Sequence, residues 1–304
     1  MIAVIQGGHE SEAEVSRMTS RAFQEALDEL GYKYKVIEYD EGFRHNLETL
    51  KPKACLLALH GTYSEDGVVQ DLLERMKIPY TGSGVEASRL SFSKERSLKK
   101  AAEMGIPVLP SFSCTNEDEV SDEMHKEIAS WSDGFVVKPS ESGSSRGVSL
   151  CDDMSELKAA LEESFKWHGV AIIEKRVKGR EITAAVFQEE AFELIEIRPK
   201  TGFYDMKNKY TKGATDYLVP APVSEGLKKD CQKYAVQIYK EFKLRTYGRV
   251  DFLITNDESE CYFMEVNTLP GCTQTSLFPK ALAQKGIEFK HLVDTLIKTA
   301  ALES

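Results

Sequence analysis

Near the end of the chain, two carboxylates and an amide recur at a spacing that could hold a metal ion. The run Arg249-Val-Asp251-Phe-Leu-Ile-Thr is followed by the polar stretch Asn256-Asp-Glu-Ser. Then comes Cys261-Tyr-Phe-Met-Glu265-Val-Asn267-Thr-Leu-Pro270-Gly271. Two apolar runs around a polar turn predict an antiparallel hairpin. Glu265 and Asn267 stand two apart on one strand, so their side chains share a face. Asp251 lies at a similar distance from the turn on the partner strand and reaches the same face. Such oxygen donors suit Mg²⁺, which completes its shell with waters and phosphates. Solvent-facing residues of an amphipathic hairpin would produce the same pattern. Against that, Asp251 and Glu265 interrupt apolar strands, where an unpaired carboxylate is costly and a metal would neutralise it.

A second stretch, Lys138-Pro-Ser-Glu-Ser-Gly143-Ser144-Ser145-Arg146-Gly147, suits phosphate. Its small residues let backbone N–H groups and hydroxyls approach phosphate oxygens. It is no Walker A loop, because the Gly-Lys-Ser/Thr ending is absent and a strand follows in place of a helix. A strand–loop–strand flap over a nucleotide is the alternative geometry, and the strand lysine before the loop favours it over a plain Ser/Gly loop. A third stretch runs Glu174-Lys175-Arg176-Val177 and then Gly179-Arg-Glu181. A strand leading into irregular backbone exposes amides and carbonyls that can pair with an adenine edge, and Glu181 can accept from ribose hydroxyls. A charged strand end and turn is the plainer reading of the same residues.

These residues need elements to position them. Ile2–Ile5 reads as a strand broken by Gly7-Gly8, followed by a helix from Glu12 to Leu30 with apolar residues at helical spacing. Strands at Tyr34–Tyr39 and Ala54–Leu59 complete a small parallel α/β unit. Its first turn lies at the carboxyl end of a strand, where open α/β sheets place ligands. A helix from Val85 to Met104 ends at Gly105-Ile-Pro107. Strands at Gly134–Lys138 and Val148–Cys151 flank the loop Pro139–Gly147; a helix at Met154–Phe165 then leads to a strand at Val170–Lys175. Further strands are expected at Ile182–Phe187, Phe192–Ile197, Tyr247–Thr255 and Cys261–Val266, with helices near Glu225–Phe242 and His291–Ala301. The fold class is therefore α/β and α+β.

Composition narrows the chemistry. The chain has 304 residues, 41% hydrophobic and 29% charged, enough for two or three subdomains. Its formal charge of −10 argues against broad nucleic-acid or anionic-membrane binding, though a local basic pocket for a nucleotide remains compatible. Cys55, Cys114, Cys151, Cys231, Cys261 and Cys272 form no C-x-x-C pair, and the histidines form no H-x-x-x-H pair. A zinc site or disulfide framework is not expected, and a reducing, cytoplasmic setting fits. The N-terminal apolar run is too short for a signal peptide, and no stretch approaches the roughly 20 apolar residues of a membrane span.

Taken in order, five blocks resemble the D-alanine–D-alanine ligases of the ATP-grasp superfamily. They are Gly7-Gly8 with Glu12-Ala-Glu14-Val-Ser16; Leu59-His60-Gly61 with Glu65-Asp66-Gly67 and Gln70; Tyr80-Thr-Gly-Ser-Gly84; Val137-Lys138-Pro139 with Gly143-Ser144-Ser145; and Arg249-Val-Asp251 with Glu265-Val-Asn267-Thr-Leu-Pro-Gly271. They span essentially the whole chain. The resemblance implies an ATP-grasp fold with an N-terminal parallel α/β (pre-ATP-grasp) subdomain over 1–85. A central subdomain with the phosphate flap would cover 86–180, and a C-terminal one with the metal site 181–304.

The resemblance also implies roles. ATP phosphorylates the first D-alanine, and the amine of the second attacks the acyl phosphate, supplying a dipeptide for peptidoglycan precursors. Lys94 and Lys138 would contact phosphates, Glu174 and Val177 the adenine, and Glu181 the ribose, with Ser145, Lys175 and Lys209 among the nucleotide contacts. Asp251, Glu265 and Asn267 would hold two Mg²⁺ ions, with Mn²⁺ a possible substitute. Arg249 and the Gly271 amide would stabilise the tetrahedral oxyanion. Glu12 matches the residue that fixes the first D-alanine's ammonium, and His60 one near its carboxylate. Ser276 and Leu277 match the positions that hold the second D-alanine. Ser144 and Tyr210, with Glu12, would fasten the flap to a mobile loop at Thr201–Tyr217. A homodimer is implied on the same ground.

Some positions depart from the family pattern. Met206, Lys207 and Asn208 stand where a Tyr-Glu-Ala run is usual; Ser93 precedes Lys94 where an acidic residue is usual; Cys272 follows Gly271 where a larger apolar residue is common. Tyr210, where depsipeptide-forming relatives carry Phe, favours an amine nucleophile. Two further readings stay open, a ligase for other amino-acid pairs and a nucleotide-binding regulator that has lost turnover.

Overall fold

The computed structural model describes residues 1–8, 10–202, 204, 208, 211, 213–273 and 276–303, of which 10 and 11 are described in their backbone only. Strands β1 (Ile2–Gly7), β2 (Tyr34–Tyr39) and β3 (Ala54–Leu57) form a parallel sheet in the order β2-β1-β3. β1 is apolar and buried over Ile2–Ile5, because both its faces are covered there. Helices α1 (Glu10–Leu30), α2 (Phe43–Leu50) and α3 (Val68–Met76) accompany it.

One long helix is expected from Val85 to Met104, but the chain forms two, α4 (Val85–Phe92) and α5 (Lys94–Glu103). Ser93 between them is extended, at φ −80° and ψ 102°. The first amides of α5 are unpaired within the helix, and Ser140 satisfies them: Lys94 N donates to its carbonyl (3.0 Å) and Glu95 N to its hydroxyl (3.2 Å). The break thus ties Lys94 to the strand that carries Lys138.

Strands β4 (Ser111–Cys114), β5 (Phe135–Pro139), β6 (Ser149–Cys151) and β7 (Ala171–Lys175) form an antiparallel sheet in the order β4-β7-β5-β6, with α6 (Asp122–Ala129) and α7 (Leu157–Phe165) beside it. The helix expected from Met154 starts with a 3-10 turn over Met154–Glu156, where Asp153 accepts from Ser155 N (2.8 Å).

The largest sheet runs β11-β10-β8-β12-β13, built from β8 (Gly179–Phe187), β10 (Ile195–Pro199), β11 (Thr215–Leu218), β12 (Tyr247–Thr255) and β13 (Cys261–Asn267); β9 (Glu190–Ala191) pairs with β8. The strand expected at Phe192–Ile197 therefore starts later, and part of the expected 201–217 loop is β11. Helices α8 (Glu225–Glu241), α9 (Leu277–Ala283) and α10 (Phe289–Lys298) complete the described elements.

The alternation in β12 shows how the site is positioned. Val250, Phe252 and Ile254 pack into the core against Ala235 and Ile238 of α8, so Arg249, Asp251 and Leu253 point the other way and line a cavity. On β13 the register shifts between the Asp251–Glu265 pair and the Phe252–Phe263 pair. This one-residue bulge lets Phe263 face the core while Glu265 faces the cavity, although the two are two residues apart.

Candidate active site

A cavity of about 590 Å³ lies between the four-stranded sheet and the largest one. Leu109, Val136, Leu253 and Met264 give it apolar walls. Lys94, Lys138, Ser145, Glu174, Lys175, Val177 and Glu181 all line it. Lys138 Nζ donates to Glu174 Oε2 at 2.8 Å, with both side chains almost fully buried. Such a pair is retained only where the charges offset each other, so the lysine sits in the wall as half of an ion pair.

A second cavity, also about 590 Å³, opens beside it and is lined by Glu12, His60, Ser144, Arg249, Asn267, Gly271, Ser276 and Leu277. Glu12, 7% exposed, accepts from Ser144 Oγ at 3.4 Å. Its carboxylate fills the space beside Gly61, where an added Cβ would lie 1.4 Å from Oε2. His60 Nε2 lies 2.9 Å from Thr19 Oγ1, and its Nδ1 lies 3.7 Å from Glu65 Oε1. Ser276 Oγ accepts from Thr273 N (3.0 Å), and a Cβ on Gly271 would come within 3.2 Å of it. Cys272, between the lining residues Gly271 and Thr273, packs in the core beneath the pocket, where its thiol donates to Pro270 O (3.2 Å). Burial pushes that thiol's pKa well above its ordinary value.

The two cavities share Lys94, Ser142, Ser144, Tyr204, Arg249 and Glu265. Lys94 Nζ donates to Ser142 O (2.9 Å) and pairs with Glu265 Oε2 (3.1 Å). Arg249 grips Asp251 with two bonds, Nε to Oδ1 (3.0 Å) and a terminal nitrogen to Oδ2 (2.7 Å), and Thr183 Oγ1 donates to Oδ1 (2.5 Å). This corrects the expectation that a buried Asp251 needs a metal for neutralisation, because Arg249 already supplies the charge. Burial opposes the Arg249 charge, but Asp251, Glu265 and Tyr204 together raise its pKa further, so it stays protonated.

The donor set nonetheless fits a hard divalent cation. Asp251 stands opposite Glu265 in register, and Asn267 opposite Arg249. Among the described residues no three His, Cys, Asp or Glu side chains form a metal cluster. A cation here would draw on the two carboxylates, the Asn267 amide and oxygens of a bound ligand.

The Ser/Gly loop crosses the shared wall. Ser144 and Ser145 adopt φ of 56° and 57°, a region that favours glycine and costs non-glycine residues energy. Ser145 Oγ donates to Tyr204 O (3.0 Å). The loop base rests on Trp167, with the Arg146 guanidinium 5.5 Å from its ring centroid.

Lys209 and Tyr210 lie outside the described residues, as do Met206 and Lys207. Tyr204, Tyr217, Thr183 and Lys280 carry no motif signal, because each acts through tertiary neighbours. Tyr204 borders both cavities, and its hydroxyl lies 3.1 Å from that of Tyr217. Burial and that bond raise its pKa.

The family profile described as D-ala D-ala ligase C-terminus matches residues 101–298. The chain is 39% identical to the D-alanine–D-alanine ligase of Syntrophotalea carbinolica over 302 residues, covering 99% of this chain and 96% of that one. The crystal structure of D-alanine–D-alanine ligase from Bacillus anthracis complexed with ATP matches with a TM-score of 0.85 and 34% identity, covering 98% of this chain and 96% of that one. VanG D-Ala:D-Ser ligase from Enterococcus faecalis matches with a TM-score of 0.84 and 28% identity, covering 98% of each chain.

Proposed function

The chain belongs to the D-alanine–D-alanine ligase family, with its ATP-grasp fold, and from that premise we propose how its residues join two D-alanines at the expense of ATP for peptidoglycan precursors. The observation that carries the reading is the shared wall: Lys94, Arg249 and Glu265 border both cavities at once. ATP occupies the first cavity, with Glu174 and Val177 at the adenine, Glu181 at the ribose, and Lys94, Lys138, Ser145, Lys175 and Lys209 among its contacts. The amino acids occupy the second. The residues 1–85, 86–180 and 181–304 are assigned, respectively, to the first substrate, the nucleotide flap and the metal-bearing hairpin.

Glu12 holds the ammonium of the first D-alanine and His60 lies near its carboxylate. An oxygen of that carboxylate attacks the γ-phosphorus of ATP, ADP leaves, and an acyl phosphate forms. The amine of the second D-alanine, held by Ser276 and Leu277, attacks the acyl carbon. Arg249 and the Gly271 amide stabilise the developing oxyanion, and phosphate departs. Asp251, Glu265 and Asn267 would hold two Mg²⁺ ions (Mn²⁺ as substitute), which neutralise phosphate charge when bound. Ser144, with Glu12 and Tyr210, fastens the flap and excludes water from the acyl phosphate. The setting is cytoplasmic and the assembly a homodimer. Among the described residues no helix is long and apolar enough to cross a membrane, and the charge of −10 disfavours nucleic acid.

The likeness to a D-Ala:D-Ser ligase supports a second reading, in which another amino acid serves as acceptor. Phosphate release with ATP, Mg²⁺ and a panel of D- and L-amino acids separates the readings. Fastest release is expected with D-alanine alone. Release only with a different pair would replace the substrate assignment, and none with any pair would leave a nucleotide-binding regulator.

A further inference from the structure

We propose that Lys280 binds the carboxylate of the second amino acid and so makes the ligase select an acceptor that carries one. The inference rests on the ligase reading and deepens it.

The charges that line the second cavity single out this residue. Its lining holds the acids Glu12, Glu65 and Glu265 and the cations Lys94, Arg249 and Lys280. Lys94 is paired with Glu265, and Arg249 with Asp251. Lys280 has no ion-pair or side-chain hydrogen-bond partner among the described residues; its ammonium lies instead 4.8 Å from the ring centroid of Tyr217. An aromatic face attracts a cation without neutralising it. That platform is fixed in turn, because the Tyr217 hydroxyl lies 3.1 Å from that of Tyr204.

Lys280 N donates to Ser276 O (3.2 Å), so Lys280 lies one turn beyond Ser276 on the same face of α9. Helical side chains lean toward the N-terminus, over the preceding turn. The lysine stem therefore leans back toward Ser276 and Leu277, where the second amino acid is assigned. Of the two zwitterionic substrates, the first presents its carboxylate to the phosphate wall. The second keeps its carboxylate through the reaction, and Lys280 is the cation in this cavity left to meet it.

D-Alaninamide provides the test, since without a carboxylate it can act only as acceptor. With D-alanine as donor, the wild-type protein is expected to prefer D-alanine over D-alaninamide as acceptor by kcat/KM. Lys280→Met should raise the KM for the second D-alanine by roughly 10-fold or more, on the scale of a charge-assisted hydrogen bond. The KM for ATP should stay unchanged, and the preference over the amide should shrink by the same factor. Lys280→Arg should keep the preference; Lys280→Gln should lose it and serves as the neutral variant if the methionine form does not fold. An unchanged preference in a neutral variant that still ligates would overturn the assignment. Absence of ligation by the wild-type protein would instead remove the ligase reading beneath it.

Discussion

Gly61 and Glu12 show how closely single residues constrain the end of the site proposed for the amino acids. Gly61 has φ +72°, and its missing Cβ is the space that the Glu12 carboxylate fills. Gly61→Ala is expected to displace that carboxylate and to add a left-handed penalty of about 1–2 kcal/mol. Steady-state kinetics should show a raised KM for the first D-alanine and little change for ATP; an unaltered D-alanine KM would contradict the placement of Glu12. Asp251 is constrained differently, since it is both a candidate metal ligand and the counter-charge of buried Arg249. Asp251→Asn removes the charge paired directly with that guanidinium, and thermal melts should show a loss of about 3–5 kcal/mol together with loss of ligation. The double variant Arg249→Met, Asp251→Leu should recover much of the stability and none of the activity. Recovery of neither would mean that the pair does not carry the stability attributed to it.

The elements show which of these arrangements could be read from the chain. The β12–β13 hairpin was legible because two apolar runs flank a short polar turn, and Asp251 does face Glu265 in register. The bulge that turns Glu265 out of the core was not, because simple alternation puts it on the same side as Phe263. The break at Ser93 was hidden for a similar reason: apolar periodicity continues through it, and the partner that makes it favourable, Ser140, is remote in sequence. β4, a polar edge strand reading Ser-Phe-Ser-Cys, carries too little β signal to stand out. The Ser/Gly loop was legible from its composition, but its seat on Trp167 was not. A Cβ at Gly147, φ +68°, would lie 2.5 Å from Trp167 Cδ1 and 2.7 Å from Pro139 Cγ. Gly147→Ala should therefore cost about 1–3 kcal/mol of stability by overpacking and shift the loop. Its KM for ATP should rise while that for D-alanine stays near normal, and equal effects on both would argue against a loop that serves the nucleotide.

Across the whole molecule, the buried side chains divide into cores that differ in independence. The first joins the N-terminal parallel sheet to α9 and α10 through Phe278, Leu292 and Leu296. Tyr80 and Ala301 also exchange backbone bonds there, at 3.3 and 3.2 Å. The third core is self-contained, drawing Phe135, Val137, Leu161 and Ile173 with their neighbours from residues 112–173 alone. A unit with its own core can open without disturbing the others, and here it forms one wall of the cavity proposed for ATP. Cys114 and Cys151 belong to it, and burial pushes both thiols up to about 11. In the closed state they are protonated and shielded at pH 8, so a thiol reagent can reach them only through opening. These two are expected to react ahead of Cys55 and Cys272, whose core spans both ends of the chain. ATP with Mg²⁺ should slow them, by an amount equivalent to about 2.7 kcal/mol at a hundredfold excess over its dissociation constant. Mass-spectrometric mapping of labelled cysteines against time checks both points. Uniform labelling of all buried cysteines, or labelling at Cys114 and Cys151 that ATP does not slow, would mean that the nucleotide does not clamp a separately opening wall.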